Sequence, residues 1–470
     1  MSSLRTLSSS SRKLAANCTQ KTLSRRTFSA SASTSASSSS SSSSSDYTVS
    51  SGPSGIKLAS LDDGSPTSAI TVAIKAGPRY EPAPGLAHVL KNFVFKSTAK
   101  RSALRLTREV ELLGGVLSSS LSREHLFLTA EFLRGDEPYF AELLGDVLTQ
   151  TSFKAHEYNE EVIAAVGGEY EAAASNPRVI AMDLAHQLAF RRGLGNSLFA
   201  SPYVEVDLHS ATAFGRSSFA NTNGVAVLST GGLSDKALSD MVGQFYVNSS
   251  SSASSSSPAA VQPASKSAYY GGEMRIPATG HSHSSIAHLV VGFQGGSHSA
   301  PEFAVLKALL GGEAATKWGT GTQPFAKLSN LSTYTPSVRA FNLAYSDAGL
   351  FGFTVDAKTD KIGDLAKAAI DAIKSIAEKG ASEEEIKRAV ARAKFEAAAA
   401  LEGRVTKQEV IGAQILEAGK VTSLADAFKL LDGVTAQKVQ EAAKTALKSK
   451  PTTVAVGDTH KLPYSDELGL

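Results

Sequence analysis

Between residues 56 and 74 apolar and polar positions alternate. Ile56 and Leu58 precede the turn-forming cluster Asp62-Asp63-Gly64-Ser65-Pro66, and Ile70, Val72 and Ile74 follow it. Period-two alternation broken by such a cluster predicts a hairpin-like pair of strands. The period then changes. From Pro84 to Thr98, Leu86, Val89, Leu90 and Phe93 recur at helical spacing, which predicts a helix with one buried face, while His88 and Asn92, four apart, share another. Leu104 to Leu113 reads as a second helix stopped by Gly114-Gly115. Leu126, Leu128, Ala130 and Phe132 then alternate as a strand, and helices are expected from Pro138 to Leu148 and around Glu169. Strands followed by covering helices give an α+β pattern.

The outline recurs further on. Ile286 to Phe293 is an apolar strand, Gly295-Gly296-Ser297 a turn, and Pro301 to Leu310 a helix. Laying Pro301 on Pro84 puts Val305 where His88 stands, so the second copy lacks the polar pair. Ile362, Leu365, Ala369, Ile370, Ile373 and Ile376 mark an amphipathic helix ended by Gly380, and Ser382-Glu383-Glu384-Glu385 is a capping box that opens the next.

Two serine-rich stretches divide the chain into segments 1–45, 46–247, 248–267 and 268–470. The stretch around Ser249 to Ser257, followed by Pro258 and Pro263, reads as a linker between halves. Residues 1–45 hold six basic residues, no acidic one, and abundant Ser, Thr and Ala, the composition of a mitochondrial transit peptide. Taking those six from the 47 basic residues leaves 41 against 44 acidic ones. A near-neutral remainder with no basic stripe gives nucleic acid nothing to bind. Cys18, the single cysteine, lies in the same segment, so the rest of the chain has no disulfide, thiolate metal site or thiol nucleophile. No stretch reaches the ~18 apolar residues of a membrane span.

The candidate chemistry sits in the first long helix. Its His88-Val89-Leu90-Lys91-Asn92 occupies the five positions of the inverted zinc-peptidase motif H-x-x-E-H, in which two imidazoles one turn apart bind zinc and a glutamate deprotonates the bound water. Lys91 offers an ammonium where a carboxylate has to accept a proton, and Asn92 only an amide oxygen. Gly85, Ala87, His88, Leu90, Phe95, Lys96 and Thr98 fit the frame around that motif in the pitrilysin-type metalloproteases, which the chain resembles over nearly all of its length after residue 46. The resemblance implies a clam-shell of two homologous halves. It also identifies Glu169, eight residues before Pro177, as the retained position of the family's third zinc ligand.

His88, Lys91, Asn92 and Glu169 are thus expected to be vestigial zinc-site positions, with no catalytic residue, metal or cofactor, and with Lys91 paired to Glu169 in place of the ion. Among mitochondrial members of the family, the stretch from Leu309 to Gly321, with its interrupted glycines and bulky Trp318, resembles the core subunits of ubiquinol-cytochrome c reductase. The alternative is the non-catalytic, substrate-binding subunit of the mitochondrial processing peptidase, whose corresponding loop is richer in glycine. The first resemblance implies a structural subunit at the matrix side of the inner membrane, partnered by a homologous first core subunit, cytochrome b and cytochrome c1. His281, His283 and His288 have no accompanying carboxylate or cysteine in the sequence, and a loop rather than a metal site is expected there. No phosphate-cradling glycine motif or nucleophile elbow is present.

Overall fold

The computed structural model describes residues 47–247, 266–277, 286–312, 321–329 and 336–470. The transit-peptide segment, nearly all of the expected linker, His281, His283 and most of the loop before Gly321 lie outside them.

The first half places strands β1 (Thr48–Ser51), β2 (Lys57–Leu61), β3 (Thr67–Ile74), β4 (Val116–Leu121), β5 (Leu126–Leu133) and β6 (Val225–Thr230) in one sheet of order β1-β2-β6-β3-β5-β4. The second half places β7 (Gly272–Pro277), β8 (Ile286–Gly295), β9 (Ser337–Ala344), β10 (Gly349–Lys358) and β11 (Thr452–Gly457) in the order β7-β11-β8-β10-β9. Setting β1 aside, the two sheets are the same object. In each, the first strand pairs in parallel with the last strand of its half, and every other pairing is antiparallel.

One expectation is corrected. β2 and β3 flank the predicted turn, where Asp62 and Asp63 accept from the backbone N–H groups of Gly64 and Ser65, yet they are not a hairpin. β6 lies between them, parallel to β2 and antiparallel to β3, so the turn spans about 10 Å, two strand spacings. Alternation fixes which residues share a face but not which strand is the neighbour. The uniformly buried β6 takes the sheet interior because both its faces are apolar.

Helices α1 (Leu86–Phe93), α2 (Ala103–Leu112), α3 (Glu137–Gln150) and α4 (Ile163–Ala174, entered through the π turn Tyr158–Val162) belong to the first half, with α5 (Pro177–Phe190), α6 (Leu208–Ala220) and α7 (Asp235–Val242). The second half has α8 (Pro301–Leu310), α9 (Pro324–Ser329), α10 (Thr359–Lys379), α11 (Glu383–Ala400), α12 (Arg404–Ala418), α13 (Leu424–Asp432) and α14 (Ala436–Lys448). The Ser382–Glu385 capping box forms as predicted, each side chain bonded to the other's backbone N–H. α8 spans the predicted residues and occupies the topological place of α1.

Two helices cross between the halves. α12, from the second half, lays Ile411, Ile415 and Leu416 on the first sheet against Ala59, Ala73, Phe127 and Leu228. In return α5, from the first half, lays Ala181, Ala185, Ala189 and Phe190 on the second sheet against Val290, Leu350, Val454 and Val456. α12 comes close to the sheet at Gly412, where a Cβ would stand 2.9 Å from the Cβ of Ala73. Lys57 donates to the carbonyl of Ile415 at 2.8 Å, placing a cation at the negative C-terminal end of α12.

Candidate functional site

α1 is short. The sequence pattern extends the helix to Thr98, but it ends at Phe93. Val94 is extended, Phe95 takes φ 65°, and Thr98 forms a bridge with Thr151 instead. Apolar spacing could not reveal this stop, because Val94 and Phe95 remain packed on the core while the backbone leaves the helix. At its start Gly85 has φ 89°, and a Cβ there would lie 2.7 Å from the Cβ of Ala200. That position therefore needs glycine twice over. Gly85 at the N-cap has no side chain to cap the helix; instead the Glu81 carboxylate accepts from Ala87 N at 3.0 Å, and burial pushes its carboxyl up to about 7.

The close approach at Gly85 sets the chemistry of His88. The backbone N–H of Ala200 donates to His88 Nδ1 at 3.0 Å, and Phe199 meets the imidazole edge-on. An Nδ1 that accepts leaves the ring proton on Nε2, which donates to Glu169 Oε2 at 2.6 Å. Nδ1 as an acceptor makes the ring neutral, and burial lowers the His88 pKa in the same sense despite Glu169. Glu169 reaches the site from α4, and Lys91 Nζ donates to both its oxygens, at 2.7 and 2.8 Å. Partial burial works against the carboxylate, but the hydrogen bonds from Lys91 and His88 outweigh it and hold Glu169 below the usual range. The Asn92 amide turns back and donates to the carbonyl of His88 at 3.2 Å.

Three of the four expected residues therefore meet, and Asn92 does not join them. The Lys91–Glu169 pair expected from the sequence is present. The cluster does not fit a zinc ion. His88 Nε2 carries a proton where a metal needs a lone pair, and both Glu169 oxygens already hold an ammonium.

The seam between the halves holds polar groups that sequence reasoning missed. Arg79 donates through Nη1 to Glu124 at 2.6 Å and through both terminal nitrogens to Asp347 at 2.8 and 2.7 Å. Ser346, next to Asp347, also donates to Glu124. Burial works against the Asp347 carboxylate, yet Arg79 and the N–H of Ser267 hold it below its usual range. His186 accepts from the Tyr345 hydroxyl at 2.8 Å, and burial drives its pKa down to about 3. His288, the described member of the histidine group, pairs with Asp356 at 2.6 Å across neighbouring strands, and Arg178 of α5 reaches the same carboxylate. The available signal was the run Arg123-Glu124-His125, three polar residues between two strands that are all at most 5% exposed. Their partners lie far away in sequence, so no local pattern marks the burial.

Comparison with known proteins finds two peptidase-type domains along the chain, the second match beginning within α6 of the first half. The Insulinase (Peptidase family M16) domain matches residues 57–201, and the Peptidase M16 inactive domain matches residues 216–393. The chain is 43% identical to the mitochondrial cytochrome b-c1 complex subunit 2 of Cryptococcus neoformans var. grubii, covering 88% of this chain and 93% of that one. It is 40% identical to the protein of the same name from Neurospora crassa, over 89% and 90%. Against the Homo sapiens protein of that name the identity is 30%, over 88% and 90%. The chain belongs to peptidase family M16, among the mitochondrial cytochrome b-c1 complex subunit 2 proteins.

Proposed function

We propose that this chain is a non-catalytic core subunit of the cytochrome b-c1 complex, and that its family's zinc site is vestigial at His88, Lys91, Asn92 and Glu169. The observation that carries the reading is the Lys91 ammonium seated on both oxygens of Glu169, with His88 locked as the Nε2–H tautomer. A cation supplied by the chain itself thus stands where the family's resemblance puts a metal. No described helix is long and apolar enough to cross a membrane. That supports attachment through partners, for which we propose the homologous first core subunit, cytochrome b and cytochrome c1, at the matrix face of the inner membrane. Residues 1–45 are the proposed targeting segment.

The assembly test is isolation of the tagged chain from mitochondrial membranes in mild detergent, followed by a reduced-minus-oxidised spectrum. Haem b and c bands in one stable assembly are expected. A haem-free heterodimer that binds or cleaves presequence peptides overturns the proposal.

The vestigial site has its own test. Restoring the motif letters with Lys91→Glu and Asn92→His leaves the Ala200 N–H still aimed at Nδ1 of His88, so Nε2 keeps its proton. Zinc retained after dialysis from micromolar metal, measured by atomic absorption, is expected to stay substoichiometric. One tightly held zinc per chain would show that the Ala200 loop yields and that the tautomer is no barrier.

A further inference from the structure

A second group of ligand-type side chains lies on the seam, away from His88. Glu124 and His125 come from the turn joining β4 to β5, His298 from the turn after β8, and Glu417 from the last turn of α12. One ligand atom each from Glu124, His298 and Glu417 fall within 4.8 Å of one another. His298 Nε2 stands 3.6 Å from one oxygen of Glu417, and His125 Nε2 stands 4.0 Å from the other. Neither distance is a hydrogen bond. His125 is 2% exposed, and its Nε2 has no hydrogen-bond partner; Glu417 Oε1, which it faces, has none either. Two buried polar atoms aimed at each other without a bond carry the cost of burial and nothing in return.

The electrostatics lean the same way. Glu417 sits at the C-terminal end of α12, where the helix dipole disfavours a carboxylate and favours a cation. Burial first, and Glu124 second, push its carboxyl up to about 7. His125 is held neutral, its pKa lowered to about 4 by burial, which leaves Nε2 available as a lone-pair donor in one of its two tautomers. With Glu417 ionised, the carboxylates of Glu124, Glu417 and Asp347 outnumber the two cations, Arg79 and Lys75, that act on this group among the described residues, so the cluster can accept added positive charge. Imidazole and carboxylate together suit zinc and its neighbours rather than calcium.

We propose that Glu124, His298 and Glu417, backed by His125, form a binding site for a divalent transition-metal ion of the zinc class that joins the two halves of the chain. Tetrahedral zinc places its ligand atoms about 3.3 Å apart, so the groups have to close by roughly 1 Å or a little more. His298 is the member free to move, being 54% exposed on a turn, whereas Glu124 is fixed by Arg79 and Ser346. The metal would take the lone pairs that His125 and Glu417 leave unused, and its charge would stabilise ionised Glu417 against the helix end.

The test is titration of the purified full chain with zinc, followed by calorimetry and by thermal melting, with cobalt as a spectroscopic substitute. One saturable ion per chain, a rise in melting temperature and visible d–d bands of a tetrahedral nitrogen–oxygen site are expected. His298→Ala and Glu417→Gln should each weaken binding by roughly tenfold or more. Glu417→Gln removes a half-buried carboxylate without changing shape, so its metal-free melting temperature should match or exceed that of the parent and show that the fold is intact. No saturable binding overturns the proposal. So does binding that survives His298→Ala, which would place the ion elsewhere, for instance at His281 and His283.

Discussion

Arg79→Met is expected to cost about 3–5 kcal/mol of unfolding free energy, read from denaturant melts of the full chain against the parent protein. The substitution keeps the apolar stem and deletes the charge. Glu124, 4% exposed, then loses its ion-pair partner and keeps the hydrogen bonds from Ser346. Asp347 loses two donors at once and keeps the N–H of Ser267. The loss is large because a buried carboxylate is stranded, not because the ion pair was strong in itself. Adding Glu124→Gln to Arg79→Met should therefore recover part of the loss, and a double variant as unstable as the sum of the two single changes would contradict this account.

Gln408→Leu is expected to cost on the order of 2–4 kcal/mol, with little change of volume. Gln408 is fully buried in α12 and faces the sheet of the other half. Its amide donates to the carbonyl of Ala69 at 3.1 Å and to the Thr230 hydroxyl at 2.8 Å, and it accepts from the Thr71 hydroxyl at 2.6 Å. Thr71 continues to Thr129, and Thr230 to the hydroxyl of Tyr47. Leucine fills the space and satisfies none of these groups, so the deficit measures the polar network. A melting curve within 1 kcal/mol of the parent's, on the scale of an ordinary surface change, would mean the threonines find other partners.

Local signals were legible in the sequence wherever cause and effect lie within one element. The capping box at Ser382 and Glu385, the helix from Pro301 to Leu310 and the buried alternation from Leu126 follow from spacing and side-chain chemistry alone. His88, Lys91 and Glu169 were found because motif spacing and resemblance brought together residues that periodicity could not. What escaped was covered by distant chain. Phe127 and Thr129 alternate with the core-facing residues of β5 and so read as an outer face, yet both are at most 5% exposed because α12 lies over them. The Ala200 N–H that fixes the His88 tautomer is a backbone group, which no side-chain pattern can announce.

The exchanged helices also decide how the molecule can move. For the two halves to swing apart like a jaw, Ile411, Ile415 and Leu416 would have to leave one sheet while Ala181, Ala185 and Phe190 left the other. Exposing each of the larger side chains costs about 1.5–3 kcal/mol, so opening approaches the free energy of unfolding itself. Each half is clasped by an arm of the other, and the gap between the two sheets is a fixed dimension rather than a variable one. Such a chain behaves as a rigid spacer, suited to holding neighbouring parts of an assembly at constant separation.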